Sequence, residues 1–341
     1  MAVTVSVVAR SLGVMVISAA APLVVSEPSQ ISRLYDWQLP VWYLLFAAAL
    51  WVCADRPPRP PSASAAAQWR ARDAQASAPL ELGVSHNYRA LQFMWADTRA
   101  LGRNTNFMFL AVSFSLLTGI GWTFLTVVGQ LLEPCGYSNL LAGIANAVFM
   151  GANAIGCFVA APIVESTRAY LTLQRVFSWM TMVTCLAVLG AARPGDSTSV
   201  LVAWAALGFS MGPLTPVSFE HAVEMTYPLP ANSSNTILNV VSNLVGFIQT
   251  VGITPLLTAT ASATCSSVVT PAAGFMLICT ALGLLFTQFI SKDYRRQGAE
   301  GVVAGDPWEC GEERGYAAKI RPGALPGPVP AVDAETPLLK S

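Results

Sequence analysis

Phe107-Met-Phe-Leu-Ala-Val-Ser-Phe-Ser-Leu-Leu-Thr118-Gly-Ile-Gly-Trp122-Thr-Phe-Leu-Thr-Val-Val-Gly-Gln130-Leu-Leu132 holds no charged side chain and is long enough to cross a bilayer as one helix. A hydrocarbon core of about 30 Å takes roughly 20 helical residues, because every backbone N–H and C=O inside it must be satisfied within the segment. Other stretches read the same way: 2–24 and 40–54 before it, and 139–164, 173–192, 199–217, 237–257 and 271–291 after it. The segment at 40–54 is the shortest. Of the 341 residues, 54% are apolar and 11% charged, an imbalance that no soluble core of this size requires. The expected fold class is an all-α polytopic membrane protein of about eight transmembrane helices, with the lipid bilayer as its first partner.

The formal net charge is zero, so bulk electrostatics points to no nucleic-acid partner. The placement of basic residues is more informative. Arg56, Arg59, Arg70, Arg72, Arg89, Arg99 and Arg103 lie between the second and third spans. Arg168 and Arg175 flank the loop after the fourth span, and Lys292, Arg295 and Arg296 follow the last. The opposite loops carry only Arg33 and Arg193. The positive-inside rule then makes the linker and both termini cytosolic. The chain divides into 1–54 (two spans), 55–106 (a cytosolic linker), 107–292 (a six-helix bundle) and 293–341 (a disordered cytosolic tail). The first apolar segment lacks a charged start and carries Arg10 inside it, so it reads as a span and not as a cleavable signal peptide.

The linker opens on Arg56-Pro-Pro-Arg-Pro-Pro61, stiff by composition, and then loosens into Ser and Ala. Residues 88–101 space apolar and basic side chains as an amphipathic helix would, suited to the inner leaflet. The tail ends in Glu335-Thr-Pro-Leu-Leu339, similar to an acidic dileucine sorting signal but with the acid one residue too close. Both endolysosomal and plasma membranes stay open.

Polar residues inside spans are costly unless they face protein or water, so function should show there. Asn235, Asn239 and Asn243, with Ser242, form a stripe expected to look into the bundle, and Asn139, Asn146 and Asn153 form another. Either stripe serves as interhelical glue or as solute contacts. Trp122 lies in mid-span, away from the interfacial belts; it either packs on neighbouring helices or offers its π-face to a cationic or aromatic solute. Glu220 and Glu224, with His221 between them, stand at the cytosolic end of the sixth span. They either gate or couple protons, or pair statically with Arg168 or another cytosolic base. Arg10 needs a counter-charge or a wet cavity, and the sequence offers no obvious partner.

The seven cysteines show no CxxC and no metal-ligand spacing, so neither metal nor cofactor is expected. Cys135 and Cys265 both fall in expected non-cytosolic loops, where a disulfide between them is chemically allowed; two unpaired thiols is the alternative. Gly208-Phe-Ser210-Met-Gly212 has the form of a hydrolase elbow, but that chemistry needs a preceding strand and a histidine base. With only His86 and His221 in the chain, the glycines read as helix packing and no enzyme is expected.

Phe219-Glu-His-Ala-Val-Glu224-Met-Thr-Tyr-Pro228, followed by Ile237-Leu-Asn-Val-Val-Ser-Asn243-Leu-Val-Gly246, resembles solute carrier family 49 of the major facilitator superfamily. That family groups the feline leukaemia virus subgroup C receptor-related proteins and the disrupted-in-renal-carcinoma-2 type. The proline run, Leu12-Gly13 with Pro22-Leu-Val-Val25, and Gly121-Trp122 support the resemblance, which runs from about residue 8 to residue 292. It implies a partial major facilitator fold equivalent to helices 5–12, with 1–54 the remnant of an N-terminal half whose first four helices are missing. It also implies alternating-access transport of a small organic solute, cationic or aromatic, such as a choline-, ethanolamine- or pyridoxine-like molecule, with protons as a candidate coupling ion. Trp122 falls where choline-transporting members place a tyrosine, and Asn243 and Ser11 where they place glutamines; Asn239 joins Asn243 on its stripe. Arg10 departs from those members and argues against choline. The other classes are a membrane receptor or regulatory protein that binds without translocating, and a truncated gene prediction without activity of its own.

Overall fold

The structure, a computed structural model, describes residues 2–25, 28–52, 86–260 and 270–296. The proline run at 56–61, the linker arginines before residue 86, Cys265 and the dileucine-like end at 335–339 lie outside them. Among the described residues the regular structure is helical. In order it runs α1 (Ala2–Val24), α2 (Ile31–Val52), α3 (His86–Arg103), α4 (Thr105–Leu132), α5 (Asn139–Thr167), α6 (Tyr170–Ala191), α7 (Ser197–Met211), α8 (Leu214–Thr226), α9 (Ala231–Thr260) and α10 (Pro271–Gln288). Among the described residues seven stretches are long and apolar enough to span a bilayer, with α7 and α8 forming one broken span, Ser197–Thr226. The chain is an all-α polytopic membrane protein.

The helix ends follow local chemistry. Asn104, Ser138, Asp196 and Thr270 accept hydrogen bonds from the backbone N–H of Phe107, Leu141, Ser199 and Ala273 at the starts of α4, α5, α7 and α10. Arg168 closes α5 in a left-handed conformation, φ 50°. Pro271 occupies the first turn of α10, where its missing N–H leaves no bond unmade.

Three boundaries differ from the sequence reading. α2 begins at Ile31 and not at residue 40, because the helix runs on through Pro40, which the sequence reading took as a start. Asp36, Gln38 and the aromatic residues around them keep its hydropathy below that of the other spans. The sixth span is interrupted at Gly212-Pro213. Pro216 cannot donate to the Gly212 carbonyl four residues back, and the freed oxygen accepts the Cys157 thiol at 3.1 Å. Finally, α9 starts at Ala231, before the expected residue 237, drawing the polar stretch Asn232-Ser-Ser-Asn235 into helix.

The bundle is organised around α4, which packs on α9 and α10, while α5 packs on α1 and α7, and α6 on α7 and α10. Glycines permit the closest crossings. A Cβ at Gly208 or Gly212 would strike the backbone carbonyls of Phe149 and Asn153 on α5, so the Gly-x-Ser-x-Gly string is a helix contact. Ser210 within it is fully buried and donates to the Leu207 carbonyl at 2.9 Å. Small polar side chains add further links, among them Thr118 to Ser242 at 2.6 Å and Ser218 to Gln174 at 2.8 Å. Phe124 meets Trp204 edge to face at 5.8 Å within the largest apolar cluster.

The amphipathic segment is α3, but it docks where a purely surface helix would not. Leu101 is 1% exposed among Phe107, Leu110 and Met225, and Asp97 accepts a 2.6 Å hydrogen bond from Ser233, while Met94 and Trp95 stay exposed. α2 lies apart, packing among the described residues on the 3-10 turn Pro28–Gln30 just before it. Arg103, Arg168, Arg175 and Arg296 gather at one end of the bundle, where α4 begins, α5 ends and α8 ends; Arg193 is at the other end. We call the first the basic end.

Candidate functional site

The expected site residues separate into two groups. Trp122, Ser11, Asn239 and Asn243, joined by Arg10, lie within the spans. Arg10, on α1, places its guanidinium carbon 5.0 Å from the centroid of the Trp122 ring on α4. α1 packs on α5, and the long arginine side chain bridges from there to α4. Trp122 is half-buried; a Cβ built on Gly246 of α9 would lie 3.8 Å from its Cδ1 and 3.3 Å from the Gly119 Cα. The tryptophan therefore sits at the α4/α9 crossing with a face turned toward α1, and that face is covered by Arg10.

Ser11 is fully buried, its hydroxyl 2.9 Å from both the Val7 carbonyl and Asn153 Oδ1. In this arrangement it is an α1–α5 contact and is not open to a solute. Asn146 on the same stripe donates to the Leu125 carbonyl at 2.9 Å, and its Oδ1 is buried without a partner. Asn239 and Asn243 do not look into the bundle as expected. Both are exposed, and Asn243 Nδ2 donates to the Asn239 carbonyl at 2.8 Å and to its Oδ1 at 3.3 Å. The inward side of α9 is taken by Ser242, Gly246, Gln249 and Ile253, which the close Gly119/Gly246 crossing requires; at 100° per residue the two asparagines fall on its flank.

The energetics of Arg10 decide what this group needs. An arginine at the centre of a span costs about 2.5–3.5 kcal/mol on insertion scales. A cation–π contact returns only about 0.5–2 kcal/mol. Among the described residues no carboxylate and no hydrogen-bond acceptor meets the guanidinium, so its five N–H donors are not satisfied by the helices around it.

The second group forms a cavity of about 300 Å³ at the basic end. Glu220, Glu224 and Arg168, expected to gate or couple, all line it, joined by Glu165, Tyr170 and Arg296. Glu224 is 3% exposed. Among the described residues Arg168 forms no ion pair with either carboxylate. Next to the cavity His221 is fully buried, stacked on Tyr170 at 6.3 Å and 6.0 Å from Tyr294, with neither ring nitrogen hydrogen-bonded.

Sequence reasoning missed the Arg10–Trp122 contact, since nothing in the spacing of two residues on separate helices reports it. It also missed Tyr170, Glu165 and Arg296 as cavity residues, although their place at the ends of basic loops was a usable signal. At the other end Cys135 is disulfide-bonded; Cys265, its expected partner, lies outside the described residues.

These features define the class: a polytopic helical membrane protein with a polar constellation at mid-span and a carboxylate-lined cavity at its basic end. No protein-family model matches the chain. Among curated proteins it is 26% identical over 318 residues to solute carrier family 49 member A3 of Danio rerio, covering 89% of this chain and 62% of that one. It is 26% identical over 215 residues to the choline/ethanolamine transporter FLVCR1 of Felis catus, covering 61% of this chain and 36% of the relative. A third relative, an uncharacterized transporter of major facilitator type from Caenorhabditis elegans, is 25% identical over 309 residues, 86% of this chain and 47% of its own length. The chain's homologues are thus solute carrier family 49 and FLVCR transporters of the major facilitator type, and it spans between 36% and 62% of the lengths of these three relatives.

Proposed function

We propose that this chain acts as a membrane transporter of a small organic solute, moving it by alternating access past Trp122. The observation that carries the reading is the position of that ring. It is near the middle of α4, half-buried, at the glycine-lined crossing with α9, and it faces a neighbouring helix instead of lipid. The named transporters among the homologues support the same class of activity.

In this reading 107–292 is one six-helix half, 1–54 belongs to the other, and 55–106 is the cytosolic linker. Trp122, with Asn239 and Asn243 on the flank of α9, contacts the solute, while Ser11 positions Asn153 instead of touching it. Glu220 and Glu224 alternate partners at the cytosolic end and accept or release protons there, with Arg168 as an available counter-charge. Both termini are cytosolic, and the membrane is endolysosomal or plasma. Uptake by the full chain in proteoliposomes, compared with Trp122→Ala and Asn243→Ala, tests the site. Flux that neither substitution changes would sink the assignment, and binding without flux would recast the protein as a receptor.

A further inference from the structure

Arg10 is the centre of the inference, which rests on the mid-span location of the solute site. Its guanidinium is held against the Trp122 face instead of reaching for the helix end, as arginines near a membrane boundary do. The stack offsets only part of the cost of placing the charge there, and the five donors find no acceptor among the described residues. Asn146 on α5 has a second unsatisfied group, a buried Oδ1, while its Nδ2 donates to the Leu125 carbonyl three residues along α4 from Trp122. Asn153 on α5 accepts a hydrogen bond from Ser11, the residue that follows Arg10 in α1.

We propose that Arg10 and Trp122 together form a recognition element for the carboxylate of an aromatic or small planar acid, and that Arg10 excludes quaternary ammonium solutes by occupying the π-face they would need. A planar guanidinium offers two parallel N–H bonds to an oxyanion, and it is charged at every accessible pH. Carboxylate and phosphate share that chemistry. A single guanidinium, with no second cation beside it among the described residues, matches one negative charge, which favours the carboxylate. The solute's ring then packs against the part of Trp122 that Arg10 leaves uncovered.

The test is a charge series on one ring. Nicotinate, nicotinamide and 1-methylnicotinamide carry a negative, a neutral and a positive charge, and their binding to the purified full chain in nanodiscs is measured by isothermal titration. Phenyl phosphate serves as the competing oxyanion and choline as the ring-free cation. The wild type is expected to prefer nicotinate over both other nicotinyl compounds by about tenfold or more, as a charge-assisted arginine–carboxylate pair should give. Arg10→Gln is expected to abolish that preference and to raise binding of 1-methylnicotinamide and choline, because the tryptophan face is vacated. Arg10→Lys is expected to keep the sign of the preference but weaken it.

A wild type that binds 1-methylnicotinamide or choline better than nicotinate, or that binds none of the three rings, overturns the proposal. So does an Arg10→Gln variant with the wild-type charge preference. Phenyl phosphate outcompeting nicotinate overturns the choice of carboxylate. The wild-type series needs no variant to fold. Charge-selective binding without flux in proteoliposomes would defeat the transport reading alone, whereas flux without charge selectivity would defeat this inference alone.

Discussion

At the scale of single residues, the two carboxylates at the basic end invite the most direct measurement. Glu224 is buried in the cavity wall and Glu220 stands one turn earlier on the same helix. Glu224→Gln keeps the shape and removes the charge, and it is expected to abolish stimulation of uptake by an imposed proton gradient while leaving solute binding near Trp122 intact. Trp122→Ala is expected to cost about tenfold in binding, the loss of one aromatic contact of about 1–1.5 kcal/mol, read by titration with the same probes. Outside the spans, Asp196 caps α7, and the Ser199 hydrogen bonds hold its carboxyl below the usual carboxylate range. A carboxyl depressed in the folded state contributes stability above its unfolded value of about 3.9 and loses it as pH falls through the lower folded value. Asp196→Asn, which caps without a charge, is expected to flatten that acid limb in thermal unfolding. Trp122 and both glutamates were legible as candidates because a ring or a charge inside an apolar run stands out. The Arg10 contact was not, since a cation–π pair depends on where two separate helices are brought.

At the scale of elements, the packing depends on backbone approach as much as on apolar faces. Gly208 and Gly212 let α7 settle onto the carbonyls of Phe149 and Asn153. Gly208→Leu should force these helices apart at a cost of about 1–3 kcal/mol, visible as a lower Tm in detergent, with Ala the milder case. The interruption at Gly212-Pro213 was foreshadowed by the prolines, but its consequence was not. Only in three dimensions does the carbonyl released by Pro216 find the Cys157 thiol. The asparagine stripe of α9 shows the limit from the other side. Four-residue spacing establishes that Asn239 and Asn243 share a face. Which way that face turns is decided by Gly246 pressing against Gly119.

For the whole molecule, orientation is the property most open to test. With the basic end in the cytosol, Asn232, the exposed start of the sequon Asn232-Ser-Ser, is expected to carry no glycan, while a sequon engineered into the loop near Arg193 should be glycosylated in microsomes. The reverse pattern would invert the topology. What the sequence determined by itself was the material of the fold: helices of membrane-spanning length, their caps, the collection of arginines at one end and the class of protein to which these belong. Those follow from local physics, the hydrogen-bond demand of a backbone in hydrocarbon and the charge of short loops, and need no knowledge of neighbours. What only the tertiary structure decided was company. It set Arg10 on Trp122, buried Ser11 against Asn153, turned Asn239 and Asn243 outward and gathered Glu220, Glu224 and Arg168 around one cavity. Each depends on how helices distant in sequence rotate and cross, which close glycine contacts fix and no spacing along one helix records.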